Sequence, residues 1–165
     1  MKKNFSNQIT GQIGENLVVA ELGRRNIVAT TFAGNVPDID VLAYANGESL
    51  PLQVKTVKRG NLSVNGKDYL EIAFDGDKQA ITGKSGYVDR GLIFVIVYLG
   101  DKLGDEKFYI CTKGDVQDIV FENYTNYLAK KNGIRPRNPA STHCSYNESN
   151  LVSYWDNWDL ILARL

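Results

Sequence analysis

The fold is decided by the segment Pro37-Asp-Ile-Asp-Val-Leu-Ala-Tyr-Ala-Asn-Gly-Glu-Ser-Leu-Pro-Leu-Gln-Val-Lys55. Two apolar stretches in it are joined at Asn46-Gly47, the strongest short signal for a two-residue β-hairpin turn. We therefore predict strands over residues 38–44 and 50–57. Pro51 lies inside the second strand and cannot donate a hydrogen bond to a neighbouring strand, so a bulge could form there.

This hairpin would place four polar side chains on one face of a sheet. With a two-residue turn, the numbers of facing residues sum to 93, so Asp40 lies opposite Gln53 and Asp38 lies opposite Lys55. Residues two apart in a strand point to the same face, and directly opposed residues have their Cβ atoms about 4.5–5.5 Å apart. The register predicts two carboxylates, one amide and one ammonium close together. A shift of the register by two residues would keep all four on that face.

A helix predicted over residues 7–25 adds a third carboxylate. Its members at helical spacing on one face are Glu15, Val18, Val19 and Leu22. Packing of that face on the sheet would direct Glu15 at the polar patch. Three acids and one lysine leave an excess of negative charge, which a divalent cation would balance, and oxygen ligands favour Mg²⁺ or Mn²⁺. A single histidine does not suit a zinc centre.

The rest of the chain completes an α/β or α+β plan with a central mixed sheet. We predict further strands over residues 27–32, 69–74, 92–99 and 107–111, with a polar, glycine-containing stretch before the third of these. A capping box at Thr112 and Asp115 opens a helix that extends to about Lys131. Residues 132–150 are predicted to form a long surface loop. The C-terminal segment with Trp155 and Trp158 is predicted to pack back on the core, within one domain over residues 1–165.

Composition excludes several classes of protein. The chain has 165 residues, of which 43% are apolar and 23% charged, which is typical of a folded globular protein and excludes disorder. Its 19 Lys and Arg balance 19 Asp and Glu, which excludes a protein that coats nucleic acid by bulk charge but allows a local basic groove. The longest apolar run, residues 92–99, is too short to span a membrane. Without a signal peptide pattern, and with two cysteines, we predict a cytoplasmic location.

The polar residues of this region resemble a known family. Gly14-Glu15 on an early helix, Pro37-Asp38-Ile39-Asp40 and Gln53-Val54-Lys55 stand in the order and spacing of the PD-(D/E)XK nuclease superfamily. The chain is most similar to Holliday-junction-resolvase-like and Mrr-like restriction endonucleases, whose members often carry Gln-x-Lys in place of Glu-x-Lys. The resemblance implies an α/β, restriction-endonuclease-like fold, in which helices flank a central mixed β-sheet.

The resemblance also implies roles for the residues that match the motif. It makes Glu15, Asp40, Gln53 and Lys55 catalytic. Asp40 matches the metal-binding aspartate, and Asp38 assists it or pairs with Lys55 instead. The side-chain oxygen of Gln53 and the backbone carbonyl of Val54 would bind Mg²⁺ or Mn²⁺. Lys55 would position or help deprotonate the attacking water, and Glu15 would act through a metal-bound water or a second ion. Because Gln53 is neutral, metal affinity should depend more on the carboxylates.

The implied activity is metal-dependent hydrolysis of DNA phosphodiesters, which leaves a 5′-phosphate and a 3′-hydroxyl. Many nucleases of this architecture act as homodimers. One alternative is a catalytically inactive module that binds nucleic acid or protein, for which the neutral Gln53 is the motivating feature. Another is a nuclease directed at RNA, including a toxin-like effector. The polar cluster itself has a structural alternative as an ion-pair group at a sheet surface.

Several basic residues near the motif are candidate contacts to nucleic acid. Lys58 and Arg59 follow the second strand of the hairpin, and Lys84 and Arg90 flank a group of glycines. Cations on loops beside such a site could hold phosphates without regard to sequence, although an ordinary solvated surface would look the same. Arg135-Pro-Arg137 in the predicted loop gives a weaker indication of the same kind.

Overall fold

The computed structural model of the chain describes residues 3–32 and 36–165, with side chains from Ser6 onward. These residues form two compact units. Unit 1 comprises Met1–Gly60, Leu92–Thr112 and Leu151–Leu165, and unit 2 comprises Asn61–Gly91 and Lys113–Asn150. The assignment of one domain to residues 1–165 stays a prediction.

One helix precedes a run of eight strands in the described ranges, and a second helix, a ninth strand and a short third helix follow. In the described ranges they are α1 (Lys3–Arg24), β1 (Val28–Thr31), β2 (Val41–Ala45), β3 (Glu48–Val57), β4 (Leu62–Asn65), β5 (Leu70–Asp75), β6 (Lys78–Lys84), β7 (Ile93–Tyr98), β8 (Lys107–Thr112), α2 (Lys113–Ala129), β9 (His143–Tyr146) and α3 (Asp159–Leu162). None of these helices has the length and apolarity that a membrane span requires.

Unit 1 is a mixed sheet with helices packed on it. Its strand order is β1-β2-β3-β7-β8, with β3 parallel to β7 and the other neighbours antiparallel. All six residues of β7 are buried, as expected for a central strand covered on both faces. Helix residues Val18 and Leu22, together with Trp158 and Ile161 from the C-terminal segment, join the apolar core on the sheet. The predicted α/β fold with a central mixed sheet and flanking helices is confirmed.

The β2–β3 hairpin has the predicted turn and register. Asn46 and Gly47 have φ values of 52° and 90°, which a type I′ turn requires at both central positions. Ala45 faces Glu48 and Val41 faces Leu52, so the predicted sum of 93 holds along the ladder. The register passes through Pro51 without a shift. Pro51 also precedes the first β3–β7 pair, which is Leu52 with Ile93.

The start of β2 differs from the prediction. The strand begins at Val41 rather than at residue 38, because Asp38 lies in a turn with a left-handed φ of 62°. Aspartate tolerates this conformation better than most residues, since its short polar side chain can form local hydrogen bonds. Asp38 is exposed and lies outside the ladder, so the predicted pairing of Asp38 opposite Lys55 is wrong.

Helix α1 confirms the predicted amphipathic face. It ends with Asn26 in the left-handed region at φ 60°, while the Ile27 amide donates to the Leu22 carbonyl at 3.0 Å. This is the Schellman arrangement, in which an apolar contact between the two residues accompanies the bond, and both are buried in the core. Nearer the middle of the helix, a Cβ at Gly14 would lie 2.8 Å from the Thr56 Cβ. Glycine therefore allows α1 to approach β3 closely at this point.

The C-terminal segment packs on the core through one of its two tryptophans. Trp158 is 4% exposed, and the Arg25 guanidinium lies 4.3 Å from its ring centroid. Trp155 is 64% exposed and thus does not anchor the segment, although its backbone bridges to Tyr109. The predicted strands that became β1, β5, β7 and β8 match within two residues at each end.

Unit 2 contains strands that the sequence patterns missed. Within it, β5 pairs with β6 and β4 pairs with β9, both antiparallel. Strand β6 lies in the polar, glycine-containing stretch, for which no strand was predicted. Strand β9 lies inside the predicted loop 132–150, so that prediction is wrong there. These strands are short or weakly apolar, and β9 depends on a partner far away in sequence. Helix α2 begins at the predicted capping box and ends at Ala129.

Candidate active site

The Asp40 side chain is held against the backbone of β3. The β2–β3 ladder ends at the pair Val41–Leu52. Just beyond this pair, the Val54 amide donates a hydrogen bond to Asp40 Oδ2 at 2.7 Å. The Asp40 amide in turn donates to the Leu52 carbonyl at 2.9 Å. The N–H and C=O of one strand residue point to the same edge, so the Val54 carbonyl also faces the edge at which Asp40 lies. This carbonyl is therefore available beside the Asp40 carboxylate.

Gln53 and Lys55 flank Val54 and project from the opposite face of β3 to the core residues Leu52 and Val54. Gln53 is 8% exposed, and no described residue forms a hydrogen bond with its side-chain amide. The Lys55 side chain is partly buried, and no described carboxylate oxygen lies within 4.0 Å of its ammonium. Both groups thus retain the capacity to bind a further partner.

Glu15 is electrostatically coupled to these residues. Its partial burial raises the pKa of the Glu15 carboxyl above the ordinary value, the negative charge of Asp40 raises it further, and the positive charge of Lys55 opposes both effects. The close approach of α1 to β3 at Gly14 accounts for this proximity. The structure therefore brings Glu15, Asp40 and Lys55 into one electrostatic environment, although α1 packs on the face of β3 that carries Leu52, Val54 and Thr56 rather than on the face of Gln53 and Lys55.

The donor set suits a hard divalent cation. Glu15 and Asp40 offer carboxylates, while Gln53 offers an amide oxygen and Val54 a carbonyl oxygen. Mg²⁺ is commonly held by one or two carboxylates and completes its shell with water and substrate phosphates. Within residues 3–32 and 36–165, no three His, Cys, Asp or Glu side chains are grouped to hold a metal. The residues present fit an ion that relies partly on substrate oxygens.

Three of the four predicted nucleic-acid contacts are engaged by acids. Arg59 pairs with Asp101 at 2.9 Å, and both side chains are 82% exposed. Lys84 and Arg90 both pair with Asp118, at 2.9 and 3.0 Å. The hydrogen bond from Arg90 lowers the pKa of Asp118 most strongly, and the one from Lys84 lowers it further. The remaining candidate, Lys58, is exposed.

Two features of the site were missed in the sequence. The first is the Val54–Asp40 hydrogen bond, which no sequence pattern reports. The second is the close contact of Gly14 with Thr56, whose Oγ1 is buried and has no hydrogen-bond partner among the described residues. A glycine inside a helical pattern, directly before an acidic residue, is the signal that could have indicated this contact.

Comparison with known proteins places the fold. No protein-family model and no curated protein sequence matches the chain. The structure is similar to that of a bacterial homing endonuclease, I-Ssp6803I, with a TM-score of 0.52 and 15% sequence identity. The similarity covers 96% of this chain and 94% of the other. At this identity it shows a shared fold, which is the fold of an endonuclease.

Proposed function

We propose that this protein is a metal-dependent endonuclease that hydrolyses DNA phosphodiesters with a PD-(D/E)XK-type site, leaving a 5′-phosphate and a 3′-hydroxyl. The observation that carries the proposal is the 2.7 Å hydrogen bond from the Val54 amide to Asp40. It joins the aspartate of one motif to the middle residue of the Gln-x-Lys motif. The Glu15 carboxyl beside them, with its raised pKa, supplies the third element.

In this proposal, Mg²⁺ or Mn²⁺ is held by Glu15, Asp40, the Gln53 amide oxygen and the Val54 carbonyl. The ion, when bound, would stabilise the charge that develops on the phosphate during hydrolysis. It would also relieve the repulsion between Glu15 and Asp40. Asp38 is exposed and lies in a turn, so we assign it no direct ligand role.

The protein's own groups orient the reaction. The Val54 amide fixes the Asp40 carboxylate in place before substrate arrives, and preorganisation of this kind lowers the barrier. Lys55 has no carboxylate partner within 4.0 Å among the described residues, so its ammonium is available to orient the attacking water and to offset charge on the phosphate. Gln53 projects from the same face of β3 as Lys55, so the Gln53 amide would lie beside the Lys55 side chain.

DNA is the proposed substrate because the structural neighbour is a homing endonuclease, and because the motif residues resemble those of DNA-cleaving enzymes. An association of two copies is also proposed, since many nucleases of this architecture act as homodimers. Sedimentation equilibrium of the purified protein tests this point separately from catalysis.

The site is tested by cleavage assays on Asp40→Asn and Lys55→Gln. Asparagine can still accept the hydrogen bond from the Val54 amide, so Asp40→Asn removes charge while it preserves the backbone contact. We expect each variant to lose cleavage by about 10³-fold or more, the size of loss seen for a key electrostatic group. Glu48→Gln is the matched control, because Glu48 is an exposed acid at the turn of the same hairpin.

The assay uses linear duplex, branched DNA, single-stranded DNA and RNA, each with Mg²⁺, Mn²⁺ or chelator. Full activity in Asp40→Asn and Lys55→Gln would overturn the site assignment. If only RNA were cleaved, RNA would replace DNA as the proposed substrate. An absence of cleavage on every substrate, with no heat of binding for Mg²⁺ or Mn²⁺ in calorimetry, would support the inactive binding module instead.

A further inference from the structure

Unit 2 contains a buried positive charge, at Arg135, beside which no described carboxylate lies. This side chain is 9% exposed, and its guanidinium lies 4.8 Å from the Tyr124 ring centroid and 4.6 Å from that of Tyr127. Its Nη2 donates to the His143 carbonyl at 2.7 Å. Its Nε is buried without a hydrogen-bond partner in the described part of the chain. No described carboxylate oxygen lies within 4.0 Å of it.

Such an arrangement is unusual for a buried cation. Burial of a charge is costly unless the charge is paired, and buried arginines normally meet a carboxylate. Two aromatic faces and one carbonyl offset part of the desolvation cost but contribute no negative charge. Arg135 is therefore held in a fixed position by its neighbours, with its charge still available to an anion.

Arg135 lines a cleft of about 370 Å³ whose other charged residues are also basic. Lys131 and Arg137 are exposed on its wall, and neither has an ion-pair partner among the described residues. The lining residues are Tyr127, Lys131, Arg135, Pro136, Arg137, Asn138 and Ser141. The surrounding stretch 123–147 contains Lys130, Lys131, Arg135 and Arg137 but no Asp or Glu. In a chain with zero net charge, this is a strong local excess of positive charge.

We propose that this cleft, which we call the Arg135 pocket, binds a backbone phosphate of nucleic acid outside the position that is cleaved. The proposal rests on the proposed nuclease function and extends it to a second contact. Arginine matches the geometry of phosphate oxygens, and a guanidinium that is already ordered loses little entropy on binding. The exposed Lys131 and Arg137 would contact the same or a neighbouring phosphate.

The remaining lining favours a polynucleotide over a small free anion. Tyr127 is 37% exposed and offers an apolar ring surface beside the cations, to which a sugar or base can pack. Asn138 and Ser141 add neutral hydrogen-bonding groups, and no lining residue is acidic. The cations outside this pocket that were predicted to bind DNA, by contrast, are mostly paired with Asp101 or Asp118.

The test measures DNA affinity as a function of salt, with Ca²⁺ or chelator so that no cleavage occurs. Fluorescence anisotropy with a labelled duplex and a labelled single strand is recorded for the intact chain, for Lys131→Gln, for Arg137→Gln and for the double variant. Each lost phosphate contact lowers the slope of log K against log salt by about 0.9 on duplex DNA. We expect a decrease of about 2 in the double variant. Both residues are exposed, so their replacement should leave folding intact, as checked by thermal melting.

Lys130→Gln is the matched control, because it removes the same charge from the same segment without lining the pocket. An equal slope in Lys130→Gln and in the double variant would overturn the proposal. Inorganic phosphate is tested as a separate ligand by thermal shift. If phosphate stabilises the intact chain but not the double variant, and the DNA slope is the same in both, the pocket binds a free anion. That result would also overturn the proposal. Asp40→Asn, measured with chelator so that no cation joins the acidic site to a phosphate, should keep the full slope, so failure of the nuclease site and failure of this pocket are distinguishable.

Discussion

The polar site around Asp40 and the Arg135 pocket are opposites in charge and alike in construction. In the first, two coupled carboxylates lie beside one lysine, and in the second, three cations share a cleft without an acid. In both, packing removes charge partly from water without supplying an equal counter-charge: Glu15 and Asp40 are partly buried in the first, and Arg135 is buried in the second. The zero net charge of the chain therefore contains two local excesses of charge. The negative excess suits a divalent cation, and the positive excess suits a phosphate.

The two regions differ in how their side chains are positioned. Asp40, Gln53 and Lys55 lie on or beside a regular hairpin, so their placement follows from strand periodicity and turn type. Arg135 lies in an irregular segment, where two tyrosine rings and the His143 carbonyl hold it. Regular elements therefore carry the proposed chemistry, and an irregular segment carries the proposed affinity.

After the losses expected for Asp40→Asn and Lys55→Gln, the next largest effect on cleavage should come from removal of the Glu15 charge. Glu15→Gln should lower cleavage by about 100-fold, the usual lower bound for loss of an electrostatic group. The same change should stabilise the fold, because burial and Asp40 raise the pKa of Glu15 and so disfavour its ionised form. Glu15 is partly solvated, so the gain should be below about 1 kcal/mol, or about 2 °C in Tm.

The stability difference should also depend on pH, with a defined sign. A raised pKa means that the folded protein binds the Glu15 proton more tightly than the unfolded chain does. Stability therefore decreases as pH rises through the range between the unfolded and folded pKa values of Glu15. Thermal melts from about pH 4 to 7 should show the intact chain falling behind Glu15→Gln as pH increases. A difference in Tm between the intact chain and Glu15→Gln that stays constant over this pH range would contradict the prediction. Glu21→Gln is the control on the same helix.

A smaller effect should follow from an acid placed in the Arg135 pocket. Asn138→Asp keeps the acceptor oxygen that binds the Ala140 amide at 3.1 Å, so the change is nearly isosteric. The new carboxylate should neutralise one cation and weaken DNA binding by about three- to tenfold near 0.1 M salt. Anisotropy titrations measure this, and Asn147→Asp, outside the pocket lining, is the control. Equal weakening in both variants would show a general charge effect rather than a pocket.

The smallest effect is expected where a predicted DNA contact is already paired. Lys84→Gln should change the salt slope by less than about half a unit, because Asp118 already occupies the ammonium at 2.9 Å. The measurement is the same anisotropy series, with Lys113→Gln as a control for loss of a lysine elsewhere in unit 2. A decrease of about 1 would show that Lys84 exchanges Asp118 for a phosphate, and would remove the contrast with the Arg135 pocket.

The sequence by itself determined the β2–β3 register, the buried face of α1 and the central strand β7. These follow from local rules: Asn-Gly favours positive φ at both turn positions, and periodicity separates buried from exposed faces. Tertiary structure alone decided that Asp38 leaves the ladder, that β9 pairs with β4, and that Lys84 and Arg90 share Asp118. Each of these depends on a partner distant in the chain or on a competing local hydrogen bond. Periodicity reports which face a residue occupies, whereas only the folded chain determines which charge it meets there.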